Sequence, residues 1–433
     1  MNDLNTNQPA APRGARPGQP GDRSAFGFEI NTRLSPTADG FGRDGTRHGR
    51  TGVIHTPHGD IHTPAFVPVA TQATMKAVLP EQMSALGAQC LLANAFHLYE
   101  RPGESIIDEA GGLGRFMNWS GPTFTDSGGF QVMSLGVGFK KVLAMDVTGL
   151  KSDDVIAEGR ERRAFVDEDG VTFKSPLNGS LHRFSAEISM GIQHKIGADI
   201  MFAFDELTTL MNTRSYQEAS VERTFRWAKR CVAEHQRLTA ERVGKPYQAL
   251  FGVVQGANYE DLRRLAASQL AGLDFDGFGI GGALEKPILG QICAWICDEV
   301  PEAKPRHVLG IAAVDDIFAA VENGGDTFDC VAPARVARNG AIYTHDGRWN
   351  ILRTAMKRDF RPLEEGCDCY TCMHYTRAYV HHLLKAREMS GNTLSTIHNE
   401  RFFVKLLDDI RDSIDGGYFE EFRDESLAHF YGR

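Results

Sequence analysis

Three of the chain's eight cysteines crowd into six residues, as Cys367-x-Cys369-x2-Cys372. Zinc takes four tetrahedral ligands. Three thiolates completed by one imidazole make a closed site with no position left for a reacting water, so the metal would be structural. His374, His381, His382 and His398 all follow the cysteines and compete for the fourth place. The other groups fit for chemistry are carboxylates at the ends of short apolar runs. Asp126 follows residues 123–125, Asp205 follows 200–204, and Asp329 lies near the end of 327–330. Alone, each could cap a helix or satisfy a turn. Converging on one rim, they would supply paired carboxylates for proton transfer and covalent catalysis.

The neighbours of these carboxylates fit a flat heterocycle. Asp126 sits in Thr125-Asp126-Ser127-Gly128-Gly129-Phe130-Gln131. The two glycines let backbone approach a ligand, and Phe130 offers an apolar face for a base. Gly281-Gly282 ends another apolar run, and Gln255 ends a third, where an amide can read a ring edge. The same residues would also serve a tight loop, close strand–helix packing and a turn. Charge adds a polyanion partner. The 433-residue chain carries 47 basic and 56 acidic residues, a net of −9, which excludes a generic basic coat for nucleic acid. Yet Arg335, Arg338, Arg348, Arg353, Lys357, Arg358 and Arg361 face only Asp346 and Asp359 within the same stretch, a local net of +5. That reversal fits a surface that tracks phosphates, or a solvated face balanced by acids elsewhere in space.

These groups need elements to position them. Apolar runs at 64–69, 89–93, 123–125, 199–204, 250–254, 277–280, 307–311 and 327–330 predict strands. Helical patterns separate most of them: Ile188, Ile192 and Ile196 form one stripe, a long amphipathic helix runs from 216 to about 239, Asn258 caps the next, and Asp315 opens another. This alternation predicts an α/β chain folded as a (β/α)8 barrel, with reactive groups on the C-terminal rim. A doubly wound open sheet is the structural alternative. The domain organisation expected is a disordered tail over 1–25, a catalytic barrel over 26–339, and a zinc-binding helical segment over 340–433 that packs on the barrel. The barrel would carry an excursion at 132–185 with a hairpin turning at Asp169-Gly170. No window is apolar enough for a membrane-spanning helix, and the first twenty residues lack the apolar core of a secretory signal. With the cysteines clustered as metal ligands, the expected location is the cytoplasm.

Taken together these residues resemble the bacterial form of the tRNA-guanine transglycosylase (queuine/preQ1 tRNA-ribosyltransferase) family. The likeness runs over about 46–430. It rests on Thr63-Pro64-Ala65-Phe66, Asn94-x2-His97-Leu98, Arg101-Pro102-Gly103, Gly111-Gly112-Leu113, the Asp126 segment, Phe204-Asp205-Glu206, Gln255-Gly256, Gly281-Gly282, Phe328-Asp329-Cys330-Val331, and the three cysteines with His398. The resemblance implies a (β/α)8 barrel with a zinc-bearing C-terminal insertion. It implies exchange of guanine at the wobble position, 34, of tRNAs with a GUN anticodon (those for aspartate, asparagine, histidine and tyrosine) for 7-aminomethyl-7-deazaguanine (preQ1), on the route to queuosine. Asp329 would be the nucleophile on ribose C1′ and Asp126 the general acid/base. Asp205, Gln255 and the backbone at Gly282 would read the base, Phe130 would stack on it, and Ser127 and Asn94 would neighbour Asp126. Arg335 and Arg338 would meet RNA phosphates. Cys367, Cys369, Cys372 and His398 would hold one structural Zn2+ per subunit of a homodimer. Alternatives are a queuine-inserting member of the same family, a non-catalytic tRNA-binding subunit and a metal-dependent barrel hydrolase. The last would need His-rich strand ends, where this chain has aspartates. The chain departs from the family pattern at Leu207, at Ala334 and beyond the glycines of 281–286, and its 132–163 stretch is longer.

Overall fold

The computed structural model describes residues 12–37, 40–132 and 164–432. Strands β1 (Gly27–Arg33), β2 (Arg50–Thr56) and β3 (Gly59–Thr63) form a small antiparallel sheet. Next come β4 (Ala65–Pro68), β5 (Leu91–Ala93) and β6 (Thr123–Thr125). A second antiparallel sheet holds β7 (Ala164–Val166), β8 (Val171–Lys174) and β9 (Leu181–Phe184), and the expected turn at Asp169-Gly170 joins its first two strands. Then follow β10 (Ile200–Phe202), β11 (Ala249–Val254), β12 (Gly277–Ile280), β13 (Arg306–Val308) and β14 (Thr327–Cys330). The eight strands β4, β14, β13, β12, β11, β10, β6 and β5 pair in parallel in that order. A bridge from Val69 to Leu92 links the two ends, with the Ala70 N–H donating to the Leu92 carbonyl at 2.7 Å. The sheet is therefore a nearly closed barrel, and the doubly wound alternative falls away.

Burial on both faces makes each strand an apolar run. In β11, Leu250 and Val254 point to the helices while Ala249, Phe251 and Val253 point into the barrel. Phe124, Phe202 and Phe251 fill that interior. They leave no room on β12: a Cβ at Gly277 would lie 2.5 Å from the Phe251 ring. Ile54 and Ile61 of the first sheet join the same interior cluster, which closes one end of the barrel with apolar contact.

Two sequence expectations change. Asn258 does not cap the helix Glu260–Ala271, whose N-cap is Tyr259 without a side-chain bond. The Asn258 carboxamide instead accepts from the Glu285 N–H at 3.0 Å, a loop partner distant in sequence. The segment expected to be a tail is in part anchored. Arg23 forks onto Asp274 (2.8 Å) and Asp276 (2.7 Å), and Arg13 reaches Asp60 at 2.7 Å. Ion pairs hold there what few apolar residues could not. Residues 1–11, and 133–163 of the expected excursion, lie outside the described residues.

After β14 come the short helix Ala332–Ala337 and the hairpin of β15 (Ala341–Thr344) and β16 (Gly347–Asn350). The 28-residue helix Met389–Gly416 then returns to the barrel and stacks Phe403 on Phe66 of β4, centroids 5.2 Å apart. Ile342, Ile351, Leu363, Val380, Leu383 and Leu394 form a separate small core beside it. No helix among the described residues is long and apolar enough to cross a membrane.

Candidate active site at the C-terminal rim

The barrel brings the sequence-selected polar residues to one rim. Asp126 directly follows β6, Gln255 directly follows β11, Asp205 and Gly282 follow β10 and β12 within three residues, and Asp329 lies in β14. Asp126 is half-buried and well supplied with donors. The Ala95 N–H donates to its Oδ1 at 2.8 Å, and the Asn94 amide donates to Oδ2. Asn94 serves twice, since its Oδ1 also caps the helix Ala95–Glu100 by accepting from the His97 N–H at 3.0 Å. Despite these donors, burial, helped by the nearby Asp329 charge, pushes the Asp126 carboxyl up to about 7. A carboxyl titrating there can both give and take a proton near neutral pH.

Asp205 is buried, and its oxygens are shared out. Ser127 donates to Oδ1 at 3.3 Å and Gln255 donates to Oδ2 at 2.5 Å. Burial pushes this carboxyl up to about 6, against the pull of those two donors. The Gln255 Oε1 is buried without a hydrogen-bond partner among the described residues. Gly282 has φ +91, and a Cβ there would lie 2.4 Å from that same Oε1. Only glycine leaves this edge of the pocket open. Phe130 stands 47% exposed at the mouth, free to cover a flat ligand.

Asp329 is held differently. The His307 Nε2 at 3.0 Å and the Gly310 N–H at 3.1 Å both bond its Oδ1, whereas Oδ2 accepts no hydrogen bond among the described residues. This makes one fixed and one unencumbered oxygen, the arrangement a nucleophile needs.

Sequence reasoning missed three supporting residues. Glu206 is buried behind Asp205, where Tyr216 (2.6 Å) and Arg223 hold it. Arg263 is fully buried and donates to the carbonyls of Val254 (2.9 Å), Gly281 (2.7 Å) and Ala257 (2.8 Å). It ties together the loops that carry Gln255 and Gly282. His307 is fully buried inside the barrel. Its only sequence signal was an imidazole at an inward position of an apolar strand.

The metal cluster lies outside the rim. The ligand atoms of Cys367, Cys369, Cys372 and His398 all fall within 4.8 Å of one another. The three Sγ atoms stand 3.7, 3.6 and 3.3 Å from the His398 Nδ1. A tetrahedral zinc site needs about 3.5 Å between such atoms. The His398 Nε2 donates to the Tyr343 carbonyl at 2.7 Å, which leaves Nδ1 bare to bind a metal. Of the competing histidines, His381 instead bonds the Ile351 carbonyl and His374 the Tyr370 carbonyl. These four residues can hold a metal ion, and the donor set fits structural zinc.

Arg335 is exposed and Arg338 half-buried, and neither forms an ion pair among the described residues. Burial and the Arg335 charge depress the Arg338 guanidinium, which would be relieved by an anion. Arg361, by contrast, is already paired with Asp359 at 2.7 Å.

A family model described as queuine tRNA-ribosyltransferase matches residues 44–432. Curated relatives carrying that name are similar across most of the chain. The one from Symbiobacterium thermophilum is 42% identical over 84% of this chain and 84% of its own. That from Pelotomaculum thermopropionicum is 43% identical over 85% of this chain and 91% of its own. The Moorella thermoacetica relative is 44% identical, covering 85% and 90% respectively.

Proposed function

The chain belongs to the queuine tRNA-ribosyltransferase family, and from that premise we propose that it exchanges guanine at the wobble position of GUN-anticodon tRNAs for preQ1. One observation carries the reading: two unlike carboxyl groups meet at one rim. Asp329 offers an unencumbered Oδ2, and Asp126 is pushed up to about 7.

The reaction runs as two displacements at one carbon, so the configuration is retained. Asp329 Oδ2 attacks ribose C1′ as the bond to guanine breaks, and the Asp126 carboxyl gives its proton to the departing base. With preQ1 in place, Asp126 takes the proton from its ring nitrogen. That nitrogen then attacks C1′ and frees the Asp329 carboxylate. The wobble base lies in a loop, so swinging it into the pocket costs little stacking. Phe130 covers the base face, Asp205 and the Gly282 backbone read its edge, and Gln255 Oε1 accepts from an amino group. Ser127 holds Asp205 in place and Asn94 holds Asp126. Arg335 and Arg338 take backbone phosphates, beside a cavity of about 200 Å³ lined by Arg338 and Arg387.

Cys367, Cys369, Cys372 and His398 hold zinc in this reading, and the bound metal crosslinks the C-terminal segment. A homodimer completes the assembly. The exposed Tyr370, Met373 and Tyr379 side chains offer apolar surface for a second copy, and light scattering at micromolar concentration should read twice the chain mass.

Labelled preQ1 should enter GUN tRNA and not a tRNA with another anticodon. Equal incorporation into both would overturn the assignment. Preference for queuine in direct competition would move the chain to the queuine-inserting reading.

A further inference from the structure

The fold places an imidazole against the proposed nucleophile from below. β13 and β14 pair in parallel with His307 opposite Thr327. Thr327 and Asp329 share the inward face of β14 because alternate strand residues point the same way. The His307 ring therefore spans both. Its Nδ1 lies 2.8 Å from the Thr327 hydroxyl and its Nε2 3.0 Å from Asp329 Oδ1. Chemistry sets the proton position at Asp329. A carboxylate oxygen can only accept, so Nε2 carries a proton towards Asp329, and Nδ1 pairs with the Thr327 hydroxyl, which can accept or donate. The ring cannot swing away. It is fully buried, with Phe124 at 5.5 Å and Phe202 at 5.1 Å between centroids.

We propose that His307 is a positioning residue which, with Thr327 behind it, pins Asp329 Oδ1 and so selects Oδ2 as the atom that bonds ribose C1′. The inference rests on Asp329 being the nucleophile. A buried ring held from both sides aims a single N–H at Oδ1 and makes no hydrogen bond to Oδ2 among the described residues. In the step itself the Oδ2–C1′ bond forms as the bond to guanine breaks. The guanine leaves with the bonding electron pair, and the His307 proton stays on Nε2 throughout.

The test compares folded variants by single-turnover formation of the covalent enzyme–tRNA adduct on a denaturing gel, with tRNA affinity measured separately. His307→Leu should slow adduct formation on the order of 10- to 100-fold, the usual consequence of a mispositioned reacting group, and leave tRNA Kd unchanged. His307→Gln, whose amide N–H can stand in for Nε2, should recover most of the rate. Should His307→Leu fail to fold, Thr327→Val keeps the test alive: it should slow the adduct several-fold with Kd again unchanged. Wild-type adduct rates in the folded variants would overturn the proposal. So would a loss confined to tRNA binding, which is what a merely structural histidine would give. If wild-type protein forms no adduct that depends on Asp329, the nucleophile assignment itself fails, a result distinct from either of these.

Discussion

In the proposed mechanism Asp126 serves as acid and base because its surroundings defeat its intrinsic acidity. With the carboxyl pushed up to about 7, the protonated form dominates below that pH and can serve the departing guanine. Above it the proton is gone. Single-turnover guanine release should therefore fall on the alkaline side, with a midpoint about 7. Asp126→Asn should slow release about 100-fold or more and flatten that limb, because an amide cannot deliver the proton. An unchanged pH profile in the variant would remove Asp126 from the chemistry. Gly282→Ala tests the base pocket: its Cβ would displace Gln255 Oε1, so KM for the free base should rise about tenfold while folding persists. Asp126, Asp205 and Asp329 were legible in the sequence as candidates because three carboxylates fall at the ends of apolar runs that a barrel brings to one rim. Glu206, Arg263 and His307 were not. Each acts through partners on other elements, and no local pattern marks an imidazole that faces a carboxylate across two paired strands.

The strands owe their legibility to burial. Each of the eight barrel strands overlaps a segment predicted for it, with β11 and β13 each starting one residue earlier, because strands covered on both faces must be apolar throughout. Ends were less clear: 199–204 contracts to Ile200–Phe202, since the residues that follow turn outward to carry Asp205. The cap at Asn258 was misread because a carboxamide serves a loop as readily as a helix, and proximity in space decides. In the proposed reading a zinc ion would tie the C-terminal elements together. The helix Met389–Gly416 carries His398 and also packs Phe403 onto β4, so loosening the metal cluster should disturb both sides of that helix. Chelation, or His398→Ala, should lower Tm and weaken tRNA binding, with one zinc lost per chain by metal analysis. A metal-free protein with unaltered Tm would show that the cluster is dispensable.

At the scale of the molecule, an acidic protein must meet a polyanion through a local surface. Most arginines elsewhere among the described residues form ion pairs with carboxylates, yet Arg335 and Arg338, beside the strand that bears Asp329, form none there, the buried Glu400 acting on Arg338 only from a distance. Replacing both with alanine should weaken tRNA binding without regard to anticodon and reduce the slope of log K against log salt by about 0.7–0.9 per lost phosphate contact. A slope equal to wild type would put the RNA on another face. The barrel supplies rigidity, Arg335 and Arg338 just beyond its last strand supply the local positive charge, and the same rim carries Asp126 and Asp329. The most direct test of that arrangement is to mix the protein with GUN tRNA, denature it, and look for a protein–RNA band. Wild-type protein should trap the tRNA covalently and Asp329→Ala should bind it without trapping; a band of equal intensity from both proteins would contradict the account.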